Sequence, residues 1–200
     1  MKSSSLMLKS ALALAMATPF LASAESQLVV GGTGAATARL DFRVVVPRVL
    51  FLGVGTGATG LATNTAIDTV TFDYTSNPAA VGGGAAAVAG TITGNVVPVR
   101  VMGNNGQIVL TAATTGALTN ATADTIPWTQ ISAVSSLAAL PSPAIPLTGT
   151  GAGSNVTISS GTRVTDRSAN WTFSYANAAV VAPGTYGTTN GRVTYTASMP

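Results

Sequence analysis

From Arg39 to Val46 the chain alternates. Leu40, Phe42 and Val44 fall on one face and Arg39, Asp41 and Arg43 on the other, the period-two pattern of a half-buried β-strand. Pro47 interrupts the run, and Val49-Leu50-Phe51-Leu52 resumes it as a continuous apolar stretch of the kind a buried strand carries. Ile67–Tyr74 alternates again: Asp68, Val70, Phe72 and Tyr74 share one face and Ile67, Thr69, Thr71 and Asp73 the other. Val88–Met102 reads as one long strand or two joined ones, broken near Pro98. Asn104-Asn105-Gly106 is a turn signal, because Asn and Gly tolerate positive φ, and Gln107–Ala113 is expected to return against the preceding strand as a hairpin. Thr125–Ser132, Asn155–Ser159, Val164–Tyr175 and Arg192–Ser198 follow as strand segments, and Thr185-Tyr186 begins another after the Pro183-Gly184 turn. In Val164–Tyr175 the aromatics Trp171, Phe173 and Tyr175 alternate along one face. Pro141, Pro143 and Pro146 mark a loop or edge segment, and Gly-rich Ala79–Ala87 reads as a mobile loop. The count is about eight to ten strands with no helix after residue 24, which predicts an all-β fold: a Greek-key, Ig-like β-sandwich of two antiparallel sheets.

The first residues follow a different pattern. Met1–Ser10 carries Lys2 and Lys9 and no acid, Ala11–Leu21 is apolar, and Ala22-Ser23-Ala24 is a small-x-small cleavage pattern before Glu25. Residues 1–24 are therefore expected to be a secretory signal peptide, of bacterial style, cleaved after Ala24. The apolar run is too short for a permanent bilayer span. The mature chain, 25–200, then reads as a single β-sandwich domain without a membrane span. Its residues 25–38 form a flexible N-terminal extension around Gly31-Gly32-Thr33-Gly34. Such a chain is expected in the periplasm or at the cell surface.

Charge and composition narrow the chemistry. Only 8% of the residues are charged, and the nine basic residues exceed the six acidic ones by three. Two of the nine are the lysines of the signal segment. The mature chain thus keeps 9 − 2 = 7 basic residues, all Arg, against 6 acidic, a net charge near +1. Nucleic acid needs clustered cations, and no Lys/Arg run exists, so it is not an expected partner. The chain holds 34 Ala, 30 Thr and 22 Gly, and Thr with Val supports strands. There is no Cys and no His, which removes internal disulfides, thiolate and imidazole metal sites, and the usual activated nucleophiles. The carboxylates of residues 25–200 are Glu25, Asp41, Asp68, Asp73, Asp124 and Asp166. Asp68 and Asp73 are five apart, so on one regular strand they point to opposite faces rather than across a cleft as a glycosidase pair requires. No D-x-D-x-D spacing suggests calcium, and the Gly53-x-Gly55-x-Gly57 stretch leads into no helix that would make a phosphate cradle. The expectation is a non-enzymatic protein with no cofactor and no metal. Trp128, Trp171, Tyr74, Tyr175, Tyr186 and Tyr195 are candidates for either a sugar-stacking platform or a core, and the alternation of Trp171-Phe173-Tyr175 favours the core.

Two segments carry a resemblance. Val46-Pro47-Arg48-Val49-Leu50-Phe51-Leu52-Gly53-Val54-Gly55 opens the candidate domain. Pro183-Gly184-Thr185-Tyr186-Gly187, leading to Gly191-Arg192-Val193-Thr194-Tyr195-Thr196-Ala197-Ser198, closes it. A P-G-T-Y turn before a last strand resembles bacterial secreted Ig-like β-sandwich surface proteins, including fimbrial subunits of the chaperone–usher pilin type. The chain departs from those subunits in having Met199 where a Tyr often stands next to last, and in lacking their cysteine pair. The resemblance implies a subunit that lacks one strand and is completed by a neighbour's N-terminal extension through β-strand addition. The donor candidates are then Leu28, Val29 and Val30 in the extension and Leu40, Phe42 and Val44 after it. The implied partners are other subunits or a second copy of the chain, and a periplasmic chaperone. The alternative is a self-contained extracellular or periplasmic binding module for glycan or protein, using loops such as Gly53–Thr65 and Ala79–Ala89.

Overall fold

The computed structural model describes residues 25–200. The signal-peptide expectation, 1–24, lies outside them. The chain divides into two units, with the boundary between Val46 and Pro47.

Residues 47–200 are all β. The strands are β1 (Leu50–Val54), β2 (Thr71–Asp73), β3 (Thr91–Thr93), β4 (Val96–Gly103), β5 (Ile108–Thr114) and β6 (Leu118–Thr119), followed by β7 (Thr125–Ile126), β8 (Ile131–Ser135), β9 (Gly149–Thr150), β10 (Ser154–Val156), β11 (Thr165–Tyr175) and β12 (Thr194–Ser198). One four-stranded sheet has the order β1-β4-β11-β8. The other has the order β10-β5-β12, with β9 also pairing β5. All pairings are antiparallel, and two small ribbons, β2-β3 and β6-β7, complete the set. The helical turns among the described residues are three short 3-10 pieces.

Alternation determines which face each strand buries. Val97, Val99 and Val101 of β4 and Ala169, Trp171 and Phe173 of β11 meet Ile108 and Leu110 of β5 and Val156 of β10 in one core between the sheets. Trp171 is fully buried, its ring centroid 5.1 Å from that of Tyr195. Because the side-chain period is two, a one-residue slip of β11 would turn this whole set to solvent, so the burial fixes the register. Asp166 and Arg100 lie on the outer face of the same sheet and pair at 3.1 Å. Both are partly exposed, so the pair adds little stability.

The hairpin expected at Asn104-Asn105-Gly106 does not form. β4 belongs to one sheet and β5 to the other, and β5 pairs with β9, β10 and β12. The turn therefore arches across the core. Both strands have one apolar face, and only the crossing lets those two faces meet. Thr185-Tyr186 likewise starts no strand; the chain there is turn, with an isolated bridge from Thr189 to Thr119. The strand expected over Ile67–Tyr74 is ladder-bonded only at Thr71–Asp73, although Val70 and Phe72 do pack on the core.

One side of the sandwich is closed by an irregular segment. Residues 136–146 leave β8 and pass to the edge of the other sheet. Leu140 and Pro143 are fully buried there. Trp171 Nε1 and Ser135 Oγ donate to the Leu140 carbonyl at 3.3 and 2.7 Å, and Thr114 Oγ1 donates to that of Pro146 at 3.0 Å. The Gly-rich loop around Ala79–Ala87 is also fastened, by buried Asn177. Its Nδ2 donates to the Ala80 carbonyl at 2.6 Å and its Oδ1 accepts the Gly82 N–H at 2.8 Å. This replaces the expectation of a mobile loop.

Two buried hydroxyls, Thr165 Oγ1 and Tyr195 Oη, have no hydrogen-bond partner. Burial also pushes the Tyr195 phenol well above its usual range. An orphaned buried hydroxyl costs folding free energy that the same shape without it does not. Tyr195→Phe is thus expected to raise stability by about 1 kcal/mol, read as an upward shift of the urea midpoint at unchanged slope. A loss of stability would mean that the hydroxyl has a partner in solution.

Candidate functional site

Two surfaces are candidates, one on each unit of the chain.

The first is the segment 25–46. Its beginning is a closed loop. Arg39 forks onto the Glu25 carboxylate, with Nε at 2.9 Å and Nη2 at 3.0 Å. Gln27 Oε1 accepts both the backbone N–H and the hydroxyl of Thr37, at 3.1 and 3.2 Å. Gly31 and Gly32 take positive φ, 69° and 144°, where the chain reverses. Residues 25–38, expected as a flexible extension, thus have internal ties. Of the donor candidates in this loop, Leu28 and Val30 are exposed and Val29 is less so. After Arg39 no ladder is formed, and Leu40, Phe42 and Val44 are 74, 86 and 84% exposed. Alternation here marks a stripe of large apolar side chains that lack the covering such a stripe is built for.

The second is the side of the sandwich opposite the 136–146 segment. There β1 and β12 are the sheet edges, and they come together. In the ladder with β4, Val49 and Gly55 turn their backbone groups towards β4. The alternation of an antiparallel pair then turns those of Leu50, Leu52 and Val54 outward, along an edge that no strand among the described residues covers. The same three side chains share a face with Val99 and Val101, yet they are incompletely covered, Leu50 being 39% exposed. Tyr195 and Ala197 of β12, and Met199 just past its end, reach the core from the other sheet and are also only partly buried. Beside β1 lies a cleft of about 340 Å³, lined by Val49–Leu52, by Met102 of β4 and by the loop Leu61–Asn64. This surface is a strand edge, unpaired among the described residues, next to an apolar seam.

Other candidate chemistry is dispersed. Asp68 accepts the N–H and hydroxyl of Thr56 at 2.6 and 3.1 Å. Asp73 is held below the usual carboxylate range by the Thr75 hydroxyl and N–H. Asp124 is held low by Thr122 and Asn120. Asp73 and Asp124 are taken up by their own turns, and Asp68 by Thr56, twelve residues upstream. Among the described residues no group of three or more His, Cys, Asp or Glu side chains could hold a metal. Nor is any helix there long and apolar enough to cross a membrane. Trp128, Trp171 and Tyr195 are packed inward, while Tyr74 meets Tyr175 edge-on at 6.2 Å at the sandwich margin. Sequence reasoning missed Asn104. Its side chain bridges Pro47 and Val49 at the start of β1, and nothing in a turn-forming Asn reveals a partner more than fifty residues upstream.

No protein-family model, no curated protein and no solved structure matches this chain.

Proposed function

We propose that this is a secreted, non-enzymatic structural subunit of fimbria-like type, joined to its neighbours by β-strand addition. Arg39–Val46 is the donor. Such a strand pairs its backbone with an open sheet edge and lays its apolar stripe on the seam beside that edge. The observation that carries the reading is the exposed stripe Leu40, Phe42 and Val44 on a chain whose sandwich has an uncovered edge at β1. Leu28, Val29 and Val30 sit beside Gly31 and Gly32, which offer no side chains to a seam, so they are secondary to the stripe. A periplasmic chaperone that holds the seam before assembly is the partner this reading implies.

The test is light scattering after size-exclusion chromatography on purified mature protein, with and without residues 25–46. Concentration-dependent chains of copies are expected from the intact protein and monomers from the truncated one. Monomers from both at every concentration would refute strand addition between copies.

A further inference from the structure

Of the four tyrosines, two meet ring to ring at the margin of the sandwich. Tyr74 follows β2 and Tyr175 ends β11, and both are half-buried. Their ring centroids are 6.2 Å apart, edge-on at 71°. Burial pushes the Tyr175 phenol up, and the hydroxyls of Tyr74 and Tyr186 push it further, so the hydroxyl ends of the three rings gather on this margin. The Tyr186 phenol donates to the Ala182 carbonyl at 2.8 Å, and among the described residues its ring packs on no other aromatic ring. The remaining side chains that readily give up an electron from a ring are closed off: Trp128 and Trp171 are buried, and Tyr195 has its hydroxyl inside the core. The chain has no thiol to compete for an oxidant.

The pair also spans a gap in the fold. β2 pairs with β3 alone, and this ribbon belongs to neither of the larger sheets. Val70 and Phe72 pack it onto the core, Phe72 with its ring centroid 6.2 Å from that of Tyr175. A covalent bond between Tyr74 and Tyr175 would tie the ribbon to the sheet of β11, as a disulfide does in a chain with Cys. We propose that these two residues are a site of oxidative cross-linking, joined as dityrosine by hydrogen peroxide acting through a haem peroxidase. Each phenol gives up its hydroxyl hydrogen as one electron and one proton, and the two radicals couple through ring carbons adjacent to the hydroxyl-bearing carbons. The new carbon–carbon bond displaces one hydrogen from each of those carbons, which returns as a proton to the oxygen and restores both phenols. The protein loses two hydrogens, and the peroxide leaves as two waters. Rotation of two half-exposed side chains brings the rings together on a picosecond-to-nanosecond scale. Neighbours held in one fold react at an effective concentration that a second copy at micromolar levels does not match. The cross-link lies within one sandwich and is independent of strand addition.

The mature protein, Tyr74→Phe, Tyr175→Phe and Tyr186→Phe test it, each treated at micromolar concentration with a haem peroxidase and hydrogen peroxide. All three substitutions keep the ring and therefore the packing. The expected product from the mature chain and from Tyr186→Phe runs as a monomer under denaturing conditions, shows dityrosine fluorescence and has a mass lower by two hydrogens. In it the tryptic peptides 49–100 and 168–192 are joined. The oxidised mature chain should also unfold at a higher denaturant concentration than the untreated one, because the bond closes a long loop in the unfolded chain. Tyr74→Phe and Tyr175→Phe should each lose the intramolecular product by at least about 10-fold. An undiminished yield from either variant, dityrosine confined to bonds between copies, or no dityrosine at all would overturn the proposal.

Discussion

Trp171→Ala is expected to lower the stability of the sandwich by about 3–5 kcal/mol. Trp171 is completely buried between the sheets, in the middle of β11, with Tyr195 against its ring. Its neighbours are strand residues held by ladders on both sides, β4 and β8, so they cannot collapse into the space left behind. The lost transfer energy and the residual cavity therefore add. The indole N–H also leaves the Leu140 carbonyl, although Ser135 Oγ still donates to that oxygen. A domain of this kind has a stability of about 5–15 kcal/mol, so the variant should be marginally folded or unfolded at room temperature. Denaturant titration read by far-ultraviolet circular dichroism measures it. A change below about 1 kcal/mol would mean that the core is far less tightly packed than the structure shows.

The second large effect concerns assembly and not folding. Under the proposed strand addition, Phe42→Asp should weaken association between copies about 100-fold or more, because it removes the apolar contribution of a large side chain and puts a carboxylate on the proposed donor face. Phe42 is exposed in the single chain, so the monomer's denaturation midpoint should stay where it is. Arg43→Ala is the matched control: its side chain is on the opposite face of the stripe, and the association constant should change little. Sedimentation velocity across a concentration series separates the two. Equal weakening by both substitutions would mean that the segment acts through its charge and not through its apolar face.

The fold was legible wherever burial imposes a period of two. Val97–Val101, Ile108–Ala112 and Thr165–Phe173 each have one buried and one open face, and alternation reports that directly. Pairing was not legible in the same way. A turn signal such as Asn104-Asn105-Gly106 says that the chain bends, not whether the next strand joins the same sheet or crosses the core. Pro141, Pro143 and Pro146 mark a loop or edge segment, and nothing in the composition shows that Leu140 and Pro143 are fully buried. Arg39–Val46 shows the complementary limit. Its alternation marks an apolar face, but a face becomes a strand only beside another strand, and no partner edge adjoins it in sequence. Asn177 and Asn104 were invisible for a related reason: both act through hydrogen bonds to backbone far away in sequence.

The fastening of Pro47–Val49 has a mechanical side. A pull on Val46 enters the sandwich at this link. Asn104, bonded to Pro47 and Val49, and Arg48, bonded to the Met199 carbonyl, split the load between the ends of β4 and β12, which belong to different sheets. Beyond the link, tension along β1 runs parallel to the strand, so its rungs to β4 are strained together in shear instead of opening one after another. A thread of such units would yield abruptly and at high force, where an unclamped β1 would peel.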